Sequence, residues 1–139
     1  MNSKRDLEEL YRGATYVVHD ADDELTISLG RGNAELGSLL KKAGAVTWAF
    51  LTAHNPNSLP TDPQLNEESQ SKLIDRLNSM GLRFLHGYGS GEDWEPEPSL
   101  FILDIELRAA VELGREFGQS AILFGHEGGE PELVWCDPA

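Results

Sequence analysis

The residues with chemical potential fall in four short stretches. The first is TAHNPNS, residues 52–58, five of whose seven side chains are polar. An asparagine side chain carries both donors and an acceptor, so Asn55 can pin a loop or read the amide of a ligand. Pro56 behind it disfavours helical geometry, and an extended Asn55 is expected. Thr52 and Ser58 are supporting hydroxyls. The second stretch is GRGN, residues 30–33. Arg31 lies there between two glycines, a cation at the start of a helix, which suits a carboxylate or a phosphate. Neither GxxxxGK[ST] nor GxGxxG is present, so this is no phosphate loop of a known kind. The third is EPEPS, residues 95–99, where Pro96 and Pro98 hold Glu97 as a rigid carboxylate just before Ser99. Such a group can act as a general base or cap a loop. The fourth is GQS, residues 118–120, where the Gln119 amide can cross-link loops or contact a ligand.

Other chemistries have less support. His54, His86 and Glu97 would make a two-histidine, one-carboxylate metal set if they met. No HxH, HExxH or cysteine pair accompanies them, so neither a metal nor a cofactor is expected. Cys136 stands alone, and no serine sits in a G-x-S-x-G elbow.

The surrounding pattern says which elements carry these residues. Leu7, Leu10 and Tyr11 at helical spacing predict an N-terminal helix over 4–11. Runs 14–19 and 24–29, rich in β-branched residues around DADD, predict a hairpin. Asn33 is a good N-cap and Gly44 a good C-terminal stop for a helix with Leu36, Leu39, Leu40 and Ala43 on one face. The apolar run 45–51 predicts a strand. A second helix is expected from Thr61, capped by that residue with Gln64 closing a capping box, and ending at Gly81. Its inner face is Leu65, Ser69, Leu73, Ile74, Leu77 and Met80. Strands are expected at 82–86, 99–103, 120–124 and 132–136. Residues 87–98 read as a long loop anchored by Trp94. A third main helix should start near Asp104 and end at Gly118, with Leu107, Ala110, Val111, Gly114 and Phe117 inward. These elements predict an α/β or α+β fold: a single mixed sheet of about six to seven strands, three main helices packed on it, and one domain over 1–139 with an N-terminal helix in 1–12 and a tail from 134.

Strand direction then gathers the four stretches. A strand–helix–strand unit normally returns a parallel strand. The strands at 24–29, 45–51 and 82–86 therefore run one way, and 99–103 and 120–124 run back. GRGN, TAHNPNS, the 87–98 segment and GQS share one edge of the sheet, with the turns at 20–23 and 125–131 on the other. Loops at such an edge are a usual ligand site. Arg31, Thr52, Asn55, Ser58, Glu97, Ser99 and Gln119 are the candidate ligand contacts.

The 139 residues include 24 acidic against 11 basic, a formal charge of −13. That field repels nucleic acid and anionic membranes and attracts a basic partner. The opening MNSKRDLEELYRG is charged and lacks an apolar core, so no secretory signal is expected, and no apolar run is long enough to span a bilayer. A cytoplasmic location is the expectation.

YRGATYVV, FLTAHNPNS, EPSLFIL and FGQSAILFG together resemble the bacterial family of unknown function catalogued as DUF3293. The most distinctive pieces are Thr52, Ala53, Asn55, Pro56 and Ser58, and Phe117, Gly118 and Gln119. The resemblance implies a small bacterial domain and no known activity, substrate or cofactor. Three functions fit the residues. The foremost is binding of a small polar or anionic ligand in a cleft at one sheet edge. The second is an acidic module engaging a basic protein. The third is a small hydrolase or transferase using Glu97 or His54 as base.

Overall fold

The β-branched runs around residues 20–23 pair as a hairpin, β1 (Thr15–Asp20) against β2 (Asp23–Ile27), with Tyr16 opposite Ile27 and Asp20 opposite Asp23. They belong to a computed structural model that describes residues 4–56, 59–91 and 94–136. Before them runs α1 (Lys4–Gly13). After them comes α2 (Ala34–Ala43), which begins and ends as its sequence dictates. The Asn33 carboxamide oxygen accepts from the backbone N–H of Glu35 and Leu36, and Gly44 closes the helix at φ 68°. The chain continues through β3 (Thr47–Leu51), α3 (Pro63–Ser79), β4 (Phe84–Gly91), β5 (Trp94–Leu103), α4 (Leu107–Glu116), β6 (Ala121–His126) and β7 (Glu132–Trp135).

The seven strands form one sheet in the order β2-β1-β4-β5-β3-β6-β7. Every pairing is antiparallel, so the fold is α+β rather than α/β, and the sheet is not mixed. The expected directions nevertheless hold. Strands β2, β3 and β4 run the same way and β5 and β6 run back, but no two parallel strands are neighbours. The crossover through α2 passes β1 and the places that β4 and β5 later fill, and the crossover through α3 passes the place that β5 later fills.

The sheet curls. Its inner face carries Tyr16, Val18, Leu25, Ile27, Trp48, Phe50, Phe101, Leu103 and Leu123, packed with Leu36, Leu39 and Leu40 of α2. Its outer face carries Ala49, Leu51, Leu100, Ile102, Ile122 and Phe124 beneath Leu73 and Leu77 of α3 and Ala110 and Leu113 of α4. Strands β3 and β6, and β5 beside them, thus bury both faces, which is why β3 reads as a continuous apolar run rather than an alternating one. The curl also brings the end of β2 to the start of β7, where the Gly30 N–H donates to the Pro131 carbonyl at 3.1 Å.

Several details differ from the sequence reading. The 87–98 segment is a hairpin arm, not a loop: β4 runs on to Gly91 and β5 starts at Trp94, with Gly89 opposite Glu97 and an irregular register between Gly89 and Gly91. Its glycines and prolines mimic a loop because the arm extends beyond the end of β3, which stops with Leu51 opposite Leu100. Prolines are tolerated on such an unpaired strand edge. The proposed anchoring role of Trp94 concerns a side chain outside the described part of the structure.

The cap of α3 is Asp62, whose carboxylate accepts from Gln64 N–H, and not Thr61. Leu65 is 54% exposed and Met80 39%, while Asn66 is buried, so the inward stripe begins one residue later than expected. Helix α4 starts at Leu107, itself exposed, because Asp104 adopts φ 55° and its carboxylate accepts from Val46 N–H instead of opening the helix.

Candidate functional site

At the end of β3 the chain turns outward, and Asn55 adopts φ 47° rather than the extended geometry expected before a proline. Asparagine tolerates this left-handed region better than most residues. The turn is held by side chains on both flanks. Asn55 Oδ1 accepts from Thr61 N–H at 3.0 Å and from Asn66 Nδ2 at 2.9 Å. Asn66 Oδ1 returns a bond by accepting from Asn55 N–H at 2.8 Å. One turn along α3, Gln70 Oε1 accepts from Ala53 N–H at 2.8 Å, and Gln70 Nε2 donates to the Pro98 carbonyl at 3.1 Å.

Thr52 ties the turn to β5. Its hydroxyl donates to the Pro98 carbonyl at 2.7 Å and accepts from His54 N–H. Gln119 ties in α4, its Nε2 donating to the His54 carbonyl at 3.0 Å and to the Phe117 carbonyl. Asn55 Nδ2 then reaches across to Glu97 Oε2 at 2.7 Å. The Ser99 hydroxyl, buried, donates to the Glu97 carbonyl.

Thr52, Asn55, Asn66, Glu97, Ser99 and Gln119 border a cavity of about 1080 Å³ at the mouth of the curled sheet. Its floor is the inner face, with Tyr16 and Phe50 in edge-to-face contact at 5.6 Å, and Leu123 beside them. Gly89 on β4 keeps the floor open: a Cβ there would stand 3.2 Å from the Tyr16 ring. The roof is α1, which presents Leu7 and Leu10. That helix is held at its far end by Tyr11, which packs edge-on against Trp135 of β7, and by the Tyr16 hydroxyl, which donates to the Tyr11 carbonyl at 2.7 Å.

Burial sets the electrostatics. It raises the Glu97 carboxyl above the ordinary glutamate range, with the Asn55 bond opposing the rise. It pushes the Tyr16 hydroxyl far up, with the Tyr11 and Glu97 charges adding to the effect. It lowers the His54 imidazole, which favours the neutral ring.

Of the candidate contacts read from sequence, Thr52, Asn55, Glu97, Ser99 and Gln119 come together around this cavity. Arg31 is not among its lining residues. It is exposed in the β2–α2 connection, beside the Gly30–Pro131 bond, because the curl carries the end of β2 away from the other three stretches and toward the β6–β7 turn. Ser58 lies outside the described residues. His86 is exposed on the outer face of β4 and contacts Phe84 edge-on, so the sheet separates it from Glu97. Among the described residues no group of three histidine, cysteine or acidic side chains could hold a metal ion, and no helix is long and apolar enough to cross a membrane.

Sequence reasoning missed Asn66, Gln70, Tyr16, Phe50 and the roof. A signal for two of them exists. Asn66, Gln70, Leu73 and Leu77 follow one helical stripe, apolar at its lower end and polar where it meets the Asn55 turn. Their amides face inward because that turn supplies the partners.

Comparison with curated proteins and with solved structures gave no match. A family model described as "Protein of unknown function (DUF3293)" matches residues 51–122, just over half of the 139-residue chain. The matched span opens at the end of β3, where the Asn55 turn begins, and includes Glu97 and Gln119.

Proposed function

The chain belongs to the DUF3293 family, and from that membership, which assigns no activity, together with the cavity, we propose that it is a small-ligand-binding domain whose site is the mouth of the curled sheet beneath α1. The observation that supports this most is Glu97. An acidic side chain with its pKa raised by burial is held by one neutral amide at the rim of a cavity, and the described residues give it no cationic partner. Burying a charge without a counter-charge costs stability, and such groups cluster at sites where they are used. A volume near 1000 Å³ with an apolar floor and a few polar side chains is of the kind that takes small molecules.

The test is a thermal-shift screen of metabolites against wild type and Leu10→Trp, a substitution that fills the roof from a half-exposed position. A bound ligand at a hundred times its Kd should stabilise wild type by about 2.7 kcal/mol, with little effect on the variant. If no compound shifts the melting temperature of wild type or moves the NMR signals of cavity residues, the reading fails.

A further inference from the structure

The hydrogen-bond inventory of the cavity is one-sided. Thr52 and Ser99 spend their hydroxyl protons on the carbonyls of Pro98 and Glu97. Gln119 spends its amide protons on the carbonyls of His54 and Phe117. Tyr16 spends its own on Tyr11, and Asn55 gives one to Glu97. One Asn55 N–H aside, the side-chain capacity left at these five positions is in oxygen lone pairs, which accept; the His54 ring, which also borders the cavity, brings one N–H of its own. A ligand that matches it must donate.

The charges point the same way. Asp6, Glu9, Glu95 and Glu97 border the cavity, and among the described residues no lysine or arginine does. Burial lowers the His54 imidazole, which favours its neutral form. Arg31, the cation that would have balanced an anionic ligand, lines a different part of the molecule. The floor is also aromatic, with Tyr16 and Phe50 meeting edge-to-face, and a cation set over a ring face there would be attracted to it.

Resting on the cavity reading above, we propose that the ligand presents a protonated nitrogen, a primary amine or a guanidinium, to the Glu97 carboxylate over the Tyr16–Phe50 floor. Glu97 Oε2 keeps its bond to Asn55, and Oε1, to which no described residue donates, takes the ligand N–H. The acceptor oxygens of Thr52 and Ser99 lie on the same rim. The ligand class is thereby the opposite of an anion.

The experiment uses the full chain and a fragment panel of primary amines, neutral alcohols and amides, and carboxylates, matched in size and read by amide and methyl chemical shifts. Each hit is repeated with Glu97→Gln, which retains an oxygen to accept from Asn55 and so keeps the turn. The expected result is that hits moving cavity signals are amines, and that Glu97→Gln weakens them about tenfold or more, as for loss of a charged hydrogen bond. Hits at the cavity drawn from carboxylates or neutral fragments, or amines indifferent to Glu97→Gln, would overturn the cationic ligand and leave the cavity reading standing. Silence of cavity signals toward all three classes would overturn both.

Discussion

Asn55 Nδ2 stands 2.7 Å from Glu97 Oε2, joining the turn after β3 to the free arm of β5 across 42 positions of sequence. The same carboxamide accepts from Thr61 and Asn66 through its oxygen, so one side chain fixes the start of α3 and the orientation of the carboxylate together. Asn55→Ala should therefore cost about 2–4 kcal/mol, read as a lowered urea midpoint. It removes several part-buried hydrogen bonds and leaves an alanine at positive φ. A midpoint within about 0.5 kcal/mol of wild type would mean that the network contributes nothing to the resting fold.

Asn55→Asp separates charge from shape. The aspartate keeps the bonds to Thr61 and Asn66 but sets a second carboxylate where an amide donated to Glu97. At neutral pH the pair repels, and one proton shared between the two relieves it. The variant should be less stable than wild type at pH 7 and recover much of the deficit on mild acidification. A deficit that stays constant with pH would rule out direct charge contact.

Glu97→Gln should raise the melting temperature of the ligand-free protein at pH 7. Burial raises the folded pKa of Glu97 above its unfolded value. Such a group contributes its full stability below the unfolded pKa and loses it as pH rises through the folded one. The gain from Glu97→Gln should shrink as pH falls to the ordinary glutamate range and vanish below it. Because the group is only half-buried, solvent screening keeps the effect small. Equal melting temperatures for variant and wild type at every pH would contradict the assigned shift.

Gly125→Ala probes the opposite end of the inner face. Trp48, fully buried and stacked on Phe101 at 5.2 Å, lies over Gly125 so closely that a Cβ would stand 2.6 Å from the indole. The ring is buried and stacked on its other side, and the substitution should cost about 1–3 kcal/mol in chemical denaturation. Retention of wild-type stability would show that the indole can slide.

Tyr16→Phe removes the hydroxyl that holds the last turn of α1. Loss of about 1 kcal/mol is expected, together with faster amide exchange in α1 than in α2. Unchanged exchange would place the anchorage of the roof wholly on Tyr11 and Trp135.

Much of this site was legible in the sequence because strand direction depends on local rules. Hydrophobic runs, the Asn33 and Gly44 helix signals, and short connections gave the directions of β2 through β6, and so brought Thr52, Asn55, Glu97, Ser99 and Gln119 to one rim. Arg31 lies elsewhere because strand direction alone does not carry the curl of the sheet. Curling moves an edge strand relative to its fellows without changing its direction, and no local pattern carries that information. The hairpin arm was read as a loop because proline and glycine signal irregular backbone, and only the early end of β3 makes them compatible with a strand. Leu65 was placed inward on apolarity alone, where Asn66 and Gln70 win because partners wait for them.

The prolines flanking Glu97 have one more consequence. Leu103 N–H donates to Arg83 on the β4 side, so even-numbered positions of β5 face the other way, as the Pro98 carbonyl does in taking the Thr52 hydroxyl. Pro98 thus stands on the side beyond the end of β3, Pro96 lies in the irregular stretch between Glu97 and Trp94, and neither has an N–H to offer. An unpaired strand edge ordinarily templates a foreign strand. The missing donors work against such augmentation here, so a strand added by another copy would go without part of its ladder beside the rim.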